Sequence, residues 1–291
     1  MRFEAVKIRD FEGHTQAVYA LAYDSISAEI FSGSADGMLV NWRLDQKDGD
    51  LILQNSASIY CICINSEFIL TGNRDGTITI LDLKTKNLIK RLKLSDAPIF
   101  SIVSFDDHWM IGDGNGKLMV LDGNFNLKLS LPLAEKSIRQ IKLHEASFFV
   151  ATSDPKVFQL DMDFNVISAF SNHESSVFTV ETDKDGNVFT GGRDAAILVH
   201  KNNLLVKKTQ AHLLHIHQLS LSPDARLLAS CSMDKTIKIW ETESMELMKV
   251  IDAERHGGHH SSVNKILWID KNTIISCSDD RTLKCFEIKE R

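Results

Sequence analysis

FSGSADGMLVNW, residues 31 to 42, decides the fold, because near copies of it recur six more times down the 291-residue chain. The others are LTGNRDGTITIL from Leu70, MIGDGNGKLMVL from Met110, VATSDPKVFQL from Val150, FTGGRDAAILVH from Phe189, ASCSMDKTIKIW from Ala229 and ISCSDDRTLKCF from Ile275. Successive starts lie 39, 40, 40, 39, 40 and 46 residues apart. A β-rich unit with a turn at a fixed place and a period near forty signals an array of small sheets. One such sheet cannot bury its own apolar face and must stack on neighbours.

Within a copy the pattern is strand, tight turn, strand. After Met233-Asp234-Lys235, residues Thr236 to Trp240 alternate polar and apolar with period two, and the Ser-x-Asp stretch supplies the turn. A further strand is expected upstream (His217 to Ser222, closed by Ser222-Pro223-Asp224-Ala225) and another downstream (Glu246 to Ile251). Four antiparallel strands per repeat, seven times over, make an all-β, seven-bladed β-propeller. The last repeat stops after its third strand, while residues 3–9 form an orphan strand before Gly13-His14. That strand is expected to complete the last blade and latch the ring. The repeats divide residues 1–291, one domain, at about 14–54, 55–94, 95–133, 134–171, 172–211, 212–258 and 259–291.

Composition agrees with one ordinary globular domain: 43% hydrophobic, 25% charged and only 4 prolines. A net charge of −6 argues against a dedicated nucleic-acid binder. The N-terminus MRFEAVKIRD has no signal-like apolar run and no stretch has membrane-span length, so a cytoplasmic protein with no membrane partner is expected. The five cysteines (Cys61, Cys63, Cys231, Cys277, Cys285) read as buried free thiols. Cys231 and Cys277 are placed in the small-residue column of Gly33, Gly72 and Gly192.

The chain resembles WD40-repeat proteins over essentially its whole length. The resemblance rests on a recurring polar set, His14, Ser32, Asp36 and Trp42 in the first repeat and His212, Ser230, Asp234 and Trp240 in the sixth, both spaced 18, 4 and 6. It implies a buried tetrad in which the indole N–H donates to the hydroxyl, the histidine links on, and the aspartate accepts at the turn. A hydrolase triad is rejected, because the same residue types recur in two blades with a Trp attached. The fifth repeat keeps His173, Thr190 and Asp194 with His200 for Trp; the seventh keeps His259, Ser276 and Asp280 with Phe286. The second keeps Thr71 and Asp75 with Leu81, and the third and fourth lose nearly everything, which marks them as a weak arc with the fastest hydrogen exchange.

In that family the narrow top face is the usual docking surface. The residue after the first apolar position of each innermost strand gives Tyr19, Tyr60, Phe100, Arg139, Phe178, His217 and Asn264. The residue before the turn Asp gives Ala35, Arg74, Gly114, Ser153, Arg193, Met233 and Asp279. Two positions earlier on the inner strand stand Ala17, Ser58, Pro98, Ser137, Ser176, His215 and Ser262, mostly small. Aromatic and Arg side chains around a channel mouth have hot-spot composition, against the plainer reading that they only pack the channel. The candidate partner-binding set is Tyr19, Tyr60, Arg74, Phe100, Arg139, Phe178, Arg193 and His217.

The expected function is therefore a non-enzymatic scaffold, monomeric by itself, that binds a protein or peptide with some acidic character through this face. The alternatives are a lactonase-like metal hydrolase of propeller architecture and an aromatic-cage reader of methylated peptides built from Tyr19, Tyr60, Phe100 or Phe178. No catalytic residue, metal site or cofactor is expected. An insertion, 252–258, leads into a histidine group, His256, His259 and His260, and is read as a flexible rim loop and not a zinc site. Gly112 to Gly116 and Asp183 to Asn187 read as hairpin turns, neither phosphate nor calcium loops. Lysines in 84–93 and at Lys201, Lys207 and Lys208 read as edge-strand charges that discourage sheet-to-sheet association.

Overall fold

The structure is a computed structural model that describes residues 3–170 and 172–290. Residue 171, where the fourth repeat is expected to end, and Arg291 lie outside the described residues. Seven four-stranded antiparallel sheets form a ring of blades. Their innermost strands are Val18–Asp24, Ile59–Ile64, Ile99–Phe105, Ile138–His144, Val177–Thr182, Ile216–Leu221 and Val263–Trp268. Each packs on the next, and the last returns to the first. The outermost strands are Asp50–Gln54, Leu88–Lys93, Leu127–Pro132, Val166–Phe170, Leu204–Gln210, Leu247–Ile251 and Phe3–Phe11.

Phe3–Phe11 pairs antiparallel with Leu283–Glu290, so the N-terminal strand completes the seventh blade and closes the ring. The latch is two residues longer than the sequence suggested, and its register shifts between Lys7 and Arg9. Phe11, 1% exposed, ends it against the Trp42 ring at 5.6 Å, which ties the closing strand to the first blade. The core consists of apolar layers between neighbouring blades; one joins Val18, Ile30 and Trp42 to Ile275, Leu283 and Cys285.

Every innermost strand carries the same irregularity. The pairing skips Tyr19, Tyr60, Phe100, Arg139, Phe178, His217 and Asn264, one residue in each blade. A β-bulge sets two residues against one and re-aims a side chain. Here seven bulges turn one column of side chains toward the mouth of the central channel.

The polar tetrads hold two of the blades' turns. Trp42 Nε1 donates to Ser32 Oγ at 2.8 Å, His14 Nε2 lies 2.7 Å from that hydroxyl, and His14 Nδ1 lies 3.2 Å from Asp36. In the sixth blade the corresponding distances from Trp240, His212 and Asp234 are 2.9, 2.7 and 2.9 Å. Desolvation lowers the pKa of His14 and His212 against the pull of their carboxylates. For Asp36 and Asp234 burial pushes upward and is outweighed by hydrogen bonds from backbone and histidine, so both titrate below the usual carboxylate range. His173 with Thr190 and Asp194, and His259 with Ser276 and Asp280, form the same links without a Trp.

Several expectations are corrected. The third and fourth blades substitute their polar closure and do not lose it. Ser95, in the histidine column, donates to buried Asp113, which also accepts the Asn115 and Lys117 N–H groups at 2.9 and 2.8 Å. Asp154 accepts the Glu135 and Lys136 N–H groups at 3.0 and 3.2 Å, with no histidine present. The fourth copy begins at Phe149 and not Val150, since Ser153 N–H bonds Ser137 O as Ala35 N–H bonds Ala17 O. The small-residue column contains Gly191 and not Gly192: Gly191 pairs with Thr179 as Gly33 pairs with Ala20. A Cβ on Gly33 would come within 2.4 Å of Ile59, so that column is fixed by the next blade's approach. The 252–258 insertion is a capped helical turn, Ala253–His256, with Asp252 at its N-cap and Gly257 left-handed at its C-cap, rather than an open loop. Lys201 ends a third strand rather than lying on an outer one, and Lys86 reaches back to Glu29 at 2.7 Å.

A second set of bonds joins blades to one another. Ser101 Oγ accepts the Ile141 N–H at 2.9 Å, Gln140 Oε1 the Val180 N–H at 3.1 Å, Thr179 Oγ1 the Leu219 N–H at 3.0 Å and Gln218 Oε1 the Ile266 N–H at 3.0 Å. These amides lie on innermost, edge-position strands, where an unpaired donor would be costly. The side chain after each bulge in blades three to six thus satisfies the backbone of the next blade.

Candidate functional site

The seven bulged side chains line one mouth, and six of them, Tyr19 to His217, touch in sequence around it. Tyr19 meets Tyr60 edge-on with centroids 5.3 Å apart, and Tyr60 stacks on Phe100 at 5.5 Å with planes 13° apart. The Arg139 guanidinium lies 4.4 Å from the Phe100 centroid and 4.8 Å from that of Phe178. Phe178 stacks on His217 at 6.3 Å, His217 Nε2 lies 3.1 Å from Ser262 Oγ, and Asn264 donates to Val18 O at 2.9 Å, back in the first blade. Each of the seven is partly buried.

Packing among these side chains does not fill the mouth. They surround a cavity of about 310 Å³ that also touches Lys265, and a chamber of about 190 Å³ beneath it is lined by Arg139, Lys265, Cys61, Ser101, Gln140 and Gln218 among others. No Asp or Glu lines either space. Burial lowers the pKa of Arg139 and of Lys265, in the latter case against the influence of the surrounding Cys61, Cys231 and Cys277. His217 is pushed down to about 4, by burial first and then by Arg139.

Arg74 and Arg193 stand exposed on the rim, outside the ring. Arg74 follows the strand Phe68–Asn73 of the second blade and Arg193 the strand Asn187–Gly192 of the fifth, three blades apart around the ring. The small column works as stitching: Ser58, Ser137 and Ser176 donate to the turn carbonyls of Ala35, Gly114 and Ser153 at 3.2, 2.9 and 2.9 Å. Of the candidate residues, six are gathered at the mouth and the two rim arginines flank it, whereas the tetrads lie within their blades.

Two features of the top face escape a column-by-column reading. Lys265, one residue past the bulge, is the only charged residue among Ala20, Cys61, Ser101, Gln140, Thr179, Gln218 and Lys265, a signal available once the bulge is known. Leu213 (88% exposed), Leu214 (45%) and Met233 (45%) form an apolar stretch on the sixth blade's top loops, beside His215. The opposite face holds a larger depression of about 650 Å³ with Asp183, Asp185, Asp224, Glu241 and Glu243 in its wall. Three of these acids are occupied locally: Asp183, Asp224 and Glu241 accept from the Asn187, Arg226 and Ser244 N–H groups.

The three histidines in and after the insertion do not converge. His259 is committed to Ser276 and Asp280, and His256 turns to Asp252 at 3.5 Å. The thiols are free, four buried and Cys63 partly so. Among the described residues no helix is long and apolar enough to cross a membrane.

The family model described as "WD domain, G-beta repeat" matches residues 5–43, 204–241 and 253–287. The chain is similar to the 66 kDa stress protein of Physarum polycephalum, 20% identical across 97% of this chain and 48% of that one. It is also similar to target of rapamycin complex subunit LST8 of Rattus norvegicus, 25% identical over 68% of this chain and 53% of that one. THO complex subunit 3 of Arabidopsis thaliana is 21% identical over 97% and 93%. The chain spans about half the length of the first two relatives. Among solved structures, the WD40 β-propeller domain of Doa1 superimposes with a TM-score of 0.88, 21% identity, and 99% and 98% of the two chains covered.

Proposed function

We propose that this chain, a seven-bladed β-propeller built of WD40 repeats, is a non-enzymatic scaffold that docks a protein or peptide on its top face within a larger assembly. The observation that carries this reading is the open, aromatic and cationic mouth, flanked by Arg74, Arg193 and the exposed Leu213, Leu214 and Met233. Large rigid side chains offer contact area at small entropic cost, and an exposed apolar stretch beside them supplies burial on association. Relatives named as subunits of the target of rapamycin and THO complexes support a role in assemblies.

The competing readings fit the mouth less well. A divalent metal of a hydrolase needs converging acids, whereas the lining presents two cations and no carboxylate. A methylated lysine needs an aromatic box free of positive charge, and Arg139 occupies the centre of the aromatic arc.

The test is affinity purification of wild-type protein and of the double variant Arg74→Glu, Arg193→Glu from the native cell. Loss of partners with an unchanged melting temperature is expected; retention of all partners would refute docking at this rim.

A further inference from the structure

Arg139 places its guanidinium over two rings, Phe100 and Phe178, 4.4 and 4.8 Å from their centroids. It has no hydrogen bond or ion pair of its side chain among the described residues, and the same holds for the Lys265 ammonium. No side chain lining the mouth or the chamber is acidic. Nor do the nearby thiols act as counterions at neutral pH, because burial pushes Cys61 and Cys231 up to about 12 and Cys277 well above its ordinary value.

The position of Lys265 is itself informative. In blades three to six the equivalent residue accepts a backbone N–H from the next blade. In the seventh blade this acceptor is replaced by a donor with three N–H bonds and a charge. Both cations are only partly buried, but neither has a protein partner among the described residues, and two cations sharing one cavity repel each other. An anion from outside the chain would offset that repulsion.

We propose that the channel mouth receives one carboxylate side chain, Asp or Glu, of an acidic segment of the docked partner, held by the N–H edge of Arg139 above and the Lys265 ammonium below. This rests on the top-face reading and names the point at which that face reads charge. A planar carboxylate matches the fork of donors on a guanidinium, and the Phe100 and Phe178 rings hold that guanidinium at the mouth. The mouth, about 310 Å³, has room for a single side chain with the backbone lying across Tyr60 and Phe178. Arg74 and Arg193 on the rim then steer the acidic segment without touching the inserted group.

Three fluorescein-labelled degenerate heptapeptide libraries, identical except for Glu, Gln or phosphoserine at the centre, test this by anisotropy against the purified full chain. The Glu library is expected to bind at least tenfold more tightly than the Gln library, and Lys265→Met or Arg139→Gln should erase the difference. Lys265→Met should fold with an equal or higher melting temperature, since it removes an unpaired charge. Equal binding of the Glu and Gln libraries overturns the proposal; phosphoserine tighter than Glu by tenfold overturns it in favour of a phosphoryl group. The rim variant Arg74→Glu, Arg193→Glu separates the two readings. If it loses native partners while the libraries show no Glu preference, docking stands and the carboxylate pocket falls. If native partners remain and the Glu preference is present, the pocket stands and rim docking falls.

Discussion

The guanidinium of Arg139 rests 4.4 Å from the ring centroid of Phe100, one blade away, with no carboxylate in the cavity beside it. The pair arises because both residues are the bulged member of their innermost strand, so strand geometry and not sequence proximity brings them together. Truncating Tyr60 and Phe100 together to Ala should weaken partner binding by more than tenfold, since clustered aromatic anchors each carry about 2 kcal/mol or more. Because both side chains are partly solvent-facing, the melting temperature should move far less than for a core truncation. Binding titration with a purified partner beside thermal unfolding checks both halves.

The Ser32 hydroxyl accepts the Trp42 indole N–H and bonds His14, whereas the Ser276 hydroxyl bonds His259 and, at 3.4 Å, the Lys284 carbonyl. Ser32→Ala leaves the Trp42 indole N–H and His14 without their shared partner, whereas the seventh blade has Phe286 in the Trp position. At about 1–3 kcal/mol for each stranded buried group, Ser32→Ala should destabilise roughly twice as much as Ser276→Ala. Trp42→Ala should cost about 3–5 kcal/mol. Denaturant unfolding of the three variants gives the order.

Stability should fall as the pH drops from about 6.5 toward 4. Burial first, then the neighbouring His173 for His200 and the Arg139 charge for His217, holds both at about 4 in the folded state. The unfolded chain binds protons at these sites through that window and the folded chain does not, so the unfolded state gains. Buried His200 has an unpartnered Nδ1, and its Nε2 contacts Asn172 at 3.0 Å. Replacing it by Phe should flatten the slope; melting temperatures of wild type and His200→Phe at pH 7, 6, 5 and 4 decide this.

The third and fourth blades should exchange amide hydrogens about as slowly as the tetrad blades. Asp113 is fully buried and takes three donors, and Ser101 secures the Ile141 amide of the fourth blade. Asp113→Ala should cost about 3 kcal/mol, and Ser101→Ala should speed exchange at Ile141 specifically. Uniformly fast exchange across 95–170 in the wild type would contradict this.

Repetition made the ring legible before any coordinates, because a fixed turn and a period-two pattern are local properties of the chain. Tetrad spacing was legible for the same reason. The bulges were not: an extra residue in a ladder leaves no mark in hydrophobic alternation, yet it decides that Tyr60 and Arg139 face the channel mouth. Asp113 and Asp154 were missed because closure of a blade requires an acceptor at the turn, and more than one residue type at more than one offset can supply it. Lys265 was missed because its isolation is a property of the channel, where six other blades contribute no charge at that level.

Docking on the top face is tested most directly by placing a photocrosslinking residue at two sites of matched exposure, Met233 on the top rim (45%) and Leu88 on the outer strand of the second blade (46%). In the native cell the probe at Met233 is expected to capture discrete partner proteins that the probe at Leu88 does not. Capture at Leu88 with none at Met233 would contradict the account.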